Sequence, residues 1–313
     1  MTVSVVIPCY NVAKHIEEVI QSIPSSIDWI IAVNDCSKDE TNTILCRLAQ
    51  EDKRVIYLTH ETNQGVGGAM ITGYNKSMEL NADITIKMDG DGQMDVSYIP
   101  ALLKPIEQGK ADFTKGNRFR DLHALRSMPL VRRIGNLGLS FLIKAASGYW
   151  NIFDPTNGYT AVKNEVLKDL NFKKIHKRYF FESSMLIELY HIRAVLQDVP
   201  MKAQYGDEVS GLSITRTLIE FPYKLSIAFM RRIALTYFLF DFNIASLYIL
   251  FGGPLFLIGT IYGIINFVKY ASHNMGAPTG TVVIPTLLII LGFQLLLSAI
   301  SYDITNYPRK QGS

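Results

Sequence analysis

The sequence predicts an α/β fold, an open and mostly parallel sheet, continued by amphipathic helices and two membrane-spanning helices. Three observations predict it. Short apolar runs of strand type alternate three times with helical periodicity in under ninety residues. The residues able to carry chemistry fall directly after predicted strands, where open α/β sheets bind their ligands. Near the C-terminus, 27 residues after Asp241 and 29 after His273 carry no formal charge, each stretch exceeding the roughly 20 that cross a bilayer.

In chain order, residues 3–7 read as a first strand, and Asn11 is expected to cap a helix burying Val12, Ile16, Val19, Ile20 and Ile23. Residues 27–33 form a second strand. Ser37 and Glu40 then have capping-box spacing for a helix burying Ile44, Leu45 and Leu48. A third strand at 55–58 leads into a glycine-rich turn and a helix carrying Met70, Ile71, Tyr74 and Met78. The turn's free amides and helix dipole suit a diphosphate. A fourth strand at 84–88 delivers an acidic turn in which Asp89 and Asp91 are separated by one glycine. Two carboxylates so spaced suit a hard divalent cation that also holds phosphate oxygens.

Between Lys115 and Arg133 six basic residues (Lys115, Arg118, Arg120, Arg126, Arg132, Arg133) face one acid, Asp121, which makes a local anion trap. The helix that follows sets Leu130, Ile134, Leu137 and Phe141 on one face and Arg132, Asn136, Ser140 and Lys144 on another. Residues 213–240 read as interfacial helices with Leu218, Phe221, Leu225, Phe229 and Ile233 among Glu220, Lys224 and Arg231. The expected division is a catalytic domain at 1–212, juxtamembrane helices at 213–241, and two spans with a short loop and tail at 242–313.

Composition limits the function classes. A net charge of +3 is too small to argue for nucleic acid, and 48% apolar content is high for a wholly soluble protein. The N-terminus has no basic region before its apolar run, which is broken at Pro8, so it reads as a strand and not a signal peptide. Cys9, Cys36 and Cys46 lack metal spacing and fit reduced thiols. Arg231 and Arg232 precede the first span and Arg309 and Lys310 follow the second, against Lys269 and His273 between them, so both termini are expected on the cytoplasmic side.

Four motifs in order carry a family resemblance: VVIPCYN at 5–11, VNDCSKDET at 33–41, NQGVGGA at 63–69 and MDGDGQ at 88–93. Together they resemble glycosyltransferase family 2, and within it the polyprenyl-phosphate glycosyltransferases. The resemblance implies a GT-A type, Rossmann-like catalytic domain. It implies that Pro8, Tyr10, Asp35, Asp39, Gly65 and Asp89 line a nucleotide pocket, and that Asp89, Asp91 and Gln93 face Mg²⁺ or Mn²⁺. Gly116-Asn117-Arg118-Phe119 resembles the family's Gly-Ser-Arg-Tyr, so Arg118, with Arg132 and Asn136, is implied to grip an acceptor phosphate. Asp91, Asp154 and Glu182 are the candidate catalytic acids. Asp154 is equally a turn residue before Pro155, and Glu182 equally a first-turn helix acid.

The sequence departs from the family pattern at Asn34 for Asp, Cys36 for Gly, Ser184 for a second acid, and Glu208 and Ile214 for basic residues, which leaves open whether Arg216 substitutes. The expected function is inverting, metal-dependent transfer of one sugar from a nucleotide-diphosphate sugar, with UDP mildly preferred, to polyprenyl phosphate at the cytoplasmic membrane face. A two-span anchor is compatible with self-association. The alternatives are a processive synthase, against which the chain lacks Gln-x-x-Arg-Trp, and a non-catalytic nucleotide-sugar-binding scaffold.

Overall fold

The computed structural model describes residues 1–118, 130–202 and 214–310, the side chains of 130–134, 136 and 214–219 excepted. It divides into two compact units, one of Met1–Phe229 with the tail from Pro308, the other of Met230–Tyr307.

In the first unit the described strands are β1 (Val3–Cys9), β2 (Trp29–Asn34), β3 (Val55–Thr59), β4 (Ile84–Lys87), β5 (Phe113–Asn117), β6 (Thr160–Lys163) and β7 (Leu196–Pro200). They pair in the order β3-β2-β1-β4-β6-β5-β7. Between them run helices α1 (Ile16–Ser22), α2 (Thr41–Glu51), α3 (Val66–Glu79), α4 (Ile99–Glu107), α5 (Leu130–Ser147), α6 (Asn164–Asp169) and α7 (Phe181–His191). The inner strands read as unbroken apolar runs because helices cover both sheet faces. Strand alternation sends Val5 and Ile7 into a cluster with α1, α2 and α4. It sends Val6 into the opposite cluster with α3, α5 and α7.

Helix α8 (Ile214–Ala234) departs from expectation. Phe221, Leu225 and Phe229 pack against the second cluster, while Tyr223, Ile227 and Met230 are exposed. The outward apolar stripe is therefore a different one from that read in the sequence. In α5, Leu137 and Phe141 are exposed, in keeping with an apolar face turned outward.

Two expected caps are replaced by contacts across the first loops. Asn11 sits at φ 55, in the left-handed region, and its side chain accepts from Lys38 N, while α1 starts after His15. Ser37 Oγ accepts from Asn11 N, and Asp39 takes over at the start of α2, accepting from Thr41 N and Ala13 N. Asn34 has a local role that an amide fills. Its buried amide donates to Asn42 Oδ1 and accepts from Ser37 N, a pair of roles that a carboxylate cannot fill. Cys36 lies at φ 61, a conformation in which glycine is unstrained.

The second unit holds α9 (Ile244–Ser272) and α10 (Thr279–Thr305), both long and apolar enough to cross a membrane. Asn243 caps α9 in a reciprocal capping box with Ser246. The helices approach closely at Gly252 and Gly292, where a methyl on Gly292 would lie 2.4 Å from Phe256 N. Arg232 is fully buried, and both of its terminal nitrogens lie 2.7 Å from the Asp303 carboxylate, which also accepts from Tyr237 Oη at 2.6 Å.

Candidate active site

Three parallel strands, β1, β2 and β4, end at one edge of the sheet and place Pro8, Asp35 and Asp89 there. The sheet is more mixed than expected, because β6 runs antiparallel to both β4 and β5. An antiparallel strand begins where its neighbours end. The turn at 154–159 therefore arrives beside Asp89, and β5 delivers Arg118 next to it.

Asp89 and Asp91 form a wall between two cavities. One, of about 500 Å³, is lined by Pro8, Tyr10, Asp35, Gly65, Arg178 and Tyr179 among others. The second, of about 170 Å³, is lined by Gln93, Arg118, Thr156, Asn157, Gly158 and Glu182 among others. Both acids border both cavities. Pro8, Tyr10, Asp35, Gly65 and Asp89 thus share the first cavity, and Asp91, Gln93, Arg118 and Glu182 meet in the second. Asp39 lines neither, being held by the two loop amides. Asp154 lines neither as well. It is fully buried, accepting from Arg118 Nε at 2.8 Å and from Thr156 Oγ1 at 3.2 Å. In this geometry Asp154 orients the Arg118 guanidinium and does not itself face a substrate. Arg132, Asn136 and Arg216 lie outside the described side chains, and Glu208 outside the described residues.

The glycine-rich turn corrects a second expectation. Four of its amides are already engaged. Gln64 N and Gly65 N donate to the two oxygens of Asp35 at 2.8 and 2.7 Å, and Gly67 N and Gly68 N donate to Lys177 O at 2.8 and 3.1 Å. A methyl on Gly65 would sit 2.6 Å from Lys177 O, and one on Gly67 2.3 Å from His176 O. These glycines let the strap at 176–178 lie against α3, so their amides are not a phosphate cradle. Asp35 is likewise tied, with His60 Nδ1 at 2.7 Å and Thr72 Oγ1 behind it at 2.9 Å from Nε2. Ser184 Oγ accepts from His176 N at 2.9 Å and pins the other end of the strap.

Two lysines missed as site residues lie beneath the acids. Lys87 is buried, its Nζ 2.6 Å from Asp89 Oδ1 and 3.7 Å from Glu182 Oε1. Burial lowers the basicity of its ammonium, and Asp89 and Glu182 more than offset that, holding it above its ordinary value. Lys115, counted in the sequence as part of the anion trap, is also buried and donates to Asn157 O. Burial pushes it down to about 8 against the pull of Glu182 and Asp154. For Lys87 the available signal was its place at the end of a short, mostly apolar strand, where a buried ammonium needs a counter-charge.

Asp89 and Asp91, with the Gln93 amide, form a hard oxygen donor set of the kind Mg²⁺ and Mn²⁺ take. Among the described residues no three His, Cys, Asp or Glu side chains converge to hold a metal. A divalent ion at this wall therefore fits only with further oxygens from a ligand, as a diphosphate would supply.

This combination of fold and site matches known proteins. The family model for glycosyl transferase family 2 matches residues 4–170. The chain belongs to glycosyl transferase family 2. A relative from Methanococcus voltae, UDP-N-acetylglucosamine–dolichyl-phosphate N-acetylglucosaminyltransferase, is 34% identical over 64% of this chain and 85% of its own. The undecaprenyl-phosphate mannosyltransferase of Micrococcus luteus is 27% identical over 64% of this chain and 83% of its own. Among solved structures, glucosyl-3-phosphoglycerate synthase from Mycobacterium tuberculosis superimposes with a TM-score of 0.54 at 20% identity, over 74% of this chain and 80% of that one. A complex of that enzyme with Mn²⁺, UDP and glucosyl-3-phosphoglycerate has a TM-score of 0.53 at 18% identity, over 74% of this chain and 79% of that one. This family 2 chain thus has the GT-A type of mixed-sheet domain, followed by two helices able to span a membrane.

Proposed function

We propose that the protein transfers a single sugar from a nucleotide-diphosphate sugar to the phosphate of a polyprenyl phosphate at the cytoplasmic membrane face, with inversion at the anomeric carbon. The observation that carries the reading is the wall of Asp89 and Asp91 between two cavities. A donor in the larger cavity would bring its sugar to the wall, and an acceptor phosphate beside Arg118 would stand on the opposite side. The acceptor oxygen then forms its bond to the anomeric carbon as the bond to the donor diphosphate breaks, through an oxocarbenium-like transition state. The nucleoside diphosphate departs into the larger cavity.

The relatives named for dolichyl and undecaprenyl phosphate support the acceptor class. A phosphate monoester with a second pKa of about 6 is already largely dianionic at neutral pH, so positioning by Arg118 matters more than a strong general base. Mg²⁺ or Mn²⁺ at Asp89 and Asp91 would supply charge neutralisation at the departing diphosphate. UDP is the preferred nucleotide on the strength of the relatives and fold neighbours that use it. The apolar helices α9 and α10, with Arg231 and Arg309 at the flanks, support an anchor with both termini cytoplasmic.

The test is purified full-length chain with radiolabelled UDP- and GDP-sugars, Mn²⁺, and undecaprenyl or dolichyl phosphate. Single-sugar lipid is expected. Polymer would establish the processive alternative, and nucleotide-sugar binding without turnover would establish the scaffold.

A further inference from the structure

We infer that Arg178 is the side chain that holds the donor diphosphate, so that the strap at 176–178, and not the glycine-rich turn, supplies the phosphate site. This rests on the donor reading above. The larger cavity is bordered by three carboxylates, Asp35, Asp89 and Asp91, and among its lining residues Arg178 is the one lysine or arginine. A diphosphate entering an acidic cavity needs a cation on the protein side as well as any bound metal.

Four amides of the glycine-rich turn are not free for that role. The amides of Gln64, Gly65, Gly67 and Gly68 point to Asp35 and to Lys177 O. The contacts that occupy those amides also fix Arg178 in place. Lys177 O receives two amides from α3, Lys177 Nζ lies 2.9 Å from Gln64 Oε1, and Arg178 O accepts from Phe181 N at 2.8 Å. The stem of Arg178 lies over Gly65, where an added methyl would come within 2.9 Å of its Cγ. Arg178 is an exposed residue that lines the larger cavity, and no ion pair to it is found among the described residues. Four residues on, Glu182 enters the second cavity from the first turn of α7. One rigid segment therefore presents a cation to the leaving group and a carboxylate to the sugar side.

The experiment is calorimetry on the full chain in detergent with saturating Mn²⁺, titrating UDP, GDP, uridine and guanosine into wild type, Arg178→Ala and Arg178→Lys. Expected for Arg178→Ala is a loss on the order of tenfold or more in affinity for the diphosphate that wild type binds, with nucleoside binding unchanged. Arg178→Lys should recover part of it, because a point charge replaces a fork. Unchanged diphosphate affinity overturns the inference, as does a parallel loss of nucleoside affinity, which marks a general collapse of the pocket. Unchanged diphosphate binding with a raised KM for the lipid phosphate reassigns Arg178 to the acceptor. If wild type binds no nucleoside diphosphate, the donor reading fails and this inference with it.

Discussion

Replacing Gly67 by alanine separates two opposed expectations. In an ordinary helix the change stabilises by up to about 1 kcal/mol, because glycine loses more backbone freedom on folding. Here the new methyl would lie 2.3 Å from His176 O and 2.8 Å from Phe181 Cδ2. The nearest atom is backbone, so the strap itself must move. Overpacking of this kind costs about 1–3 kcal/mol, and each of the two amide bonds to Lys177 O is worth about 1 kcal/mol. Set against the helix gain, the net loss is about 2 kcal/mol, or about 4–8 °C in melting temperature for a unit of this size. The assay is thermal unfolding in detergent, with UDP calorimetry on the same samples. UDP affinity should fall with stability, since the strap carries Arg178. Gly138→Ala, whose methyl would meet nothing within 4 Å, should hold or raise the melting temperature. A Gly67→Ala protein as stable as wild type, binding UDP equally well, would refute the strap's role.

Four further outcomes are expected. Asp91→Asn should abolish metal-dependent transfer while leaving the melting temperature near wild type, read by activity with and without Mn²⁺ and by calorimetry. Arg118→Ala should raise the KM for lipid phosphate, and because it strands the buried Asp154 carboxylate it should also cost about 3 kcal/mol of stability. Burial raises Asp198 from the usual 3.8 to about 6, against the hydrogen bond from Phe153 N. A raised carboxyl is a cost fully present above pH 6 and absent below about 3.8, so Asp198→Asn should stabilise the protein at pH 7.5 by up to about 3 kcal/mol, with the gain vanishing in melts at pH 4. In the second unit, Asp303→Ala should lower the melting temperature sharply by leaving Arg232 buried without its carboxylate, at about 3–5 kcal/mol, and the double change Arg232→Met with Asp303→Leu should recover most of it.

Much of this architecture is legible in the residue pattern, and the exceptions have definite causes. The alternation of apolar runs and the acidic turn after residue 88 locate β1–β4 and Asp89 and Asp91, because strand periodicity and its termination are local properties. The reversal of β6 is not local. It depends on how the chain returns after α5, and it decides that Asn157 and Gly158 sit beside Asp89. The glycine-rich turn misleads for a similar reason, since the carbonyl occupying its amides belongs to Lys177, more than a hundred residues away. Asn11 and Ser37 have the side chains of helix caps, yet they bond across two loops that only the folded sheet brings together. Lys87 and Lys115 look like surface residues by type, and it is the neighbouring carboxylates, supplied by distant segments, that make their burial tolerable.

Those two lysines have a consequence for the charge balance of the site. Asp89, Asp91 and Glu182 all border the smaller cavity, and carboxylates that share a cavity repel one another. Lys87, 2.6 Å from Asp89 and 3.7 Å from Glu182, and the buried charge of Lys115 give these acids a counter-charge built into the sheet. The acids of the wall are thus balanced by charge that belongs to the fold and not to a ligand.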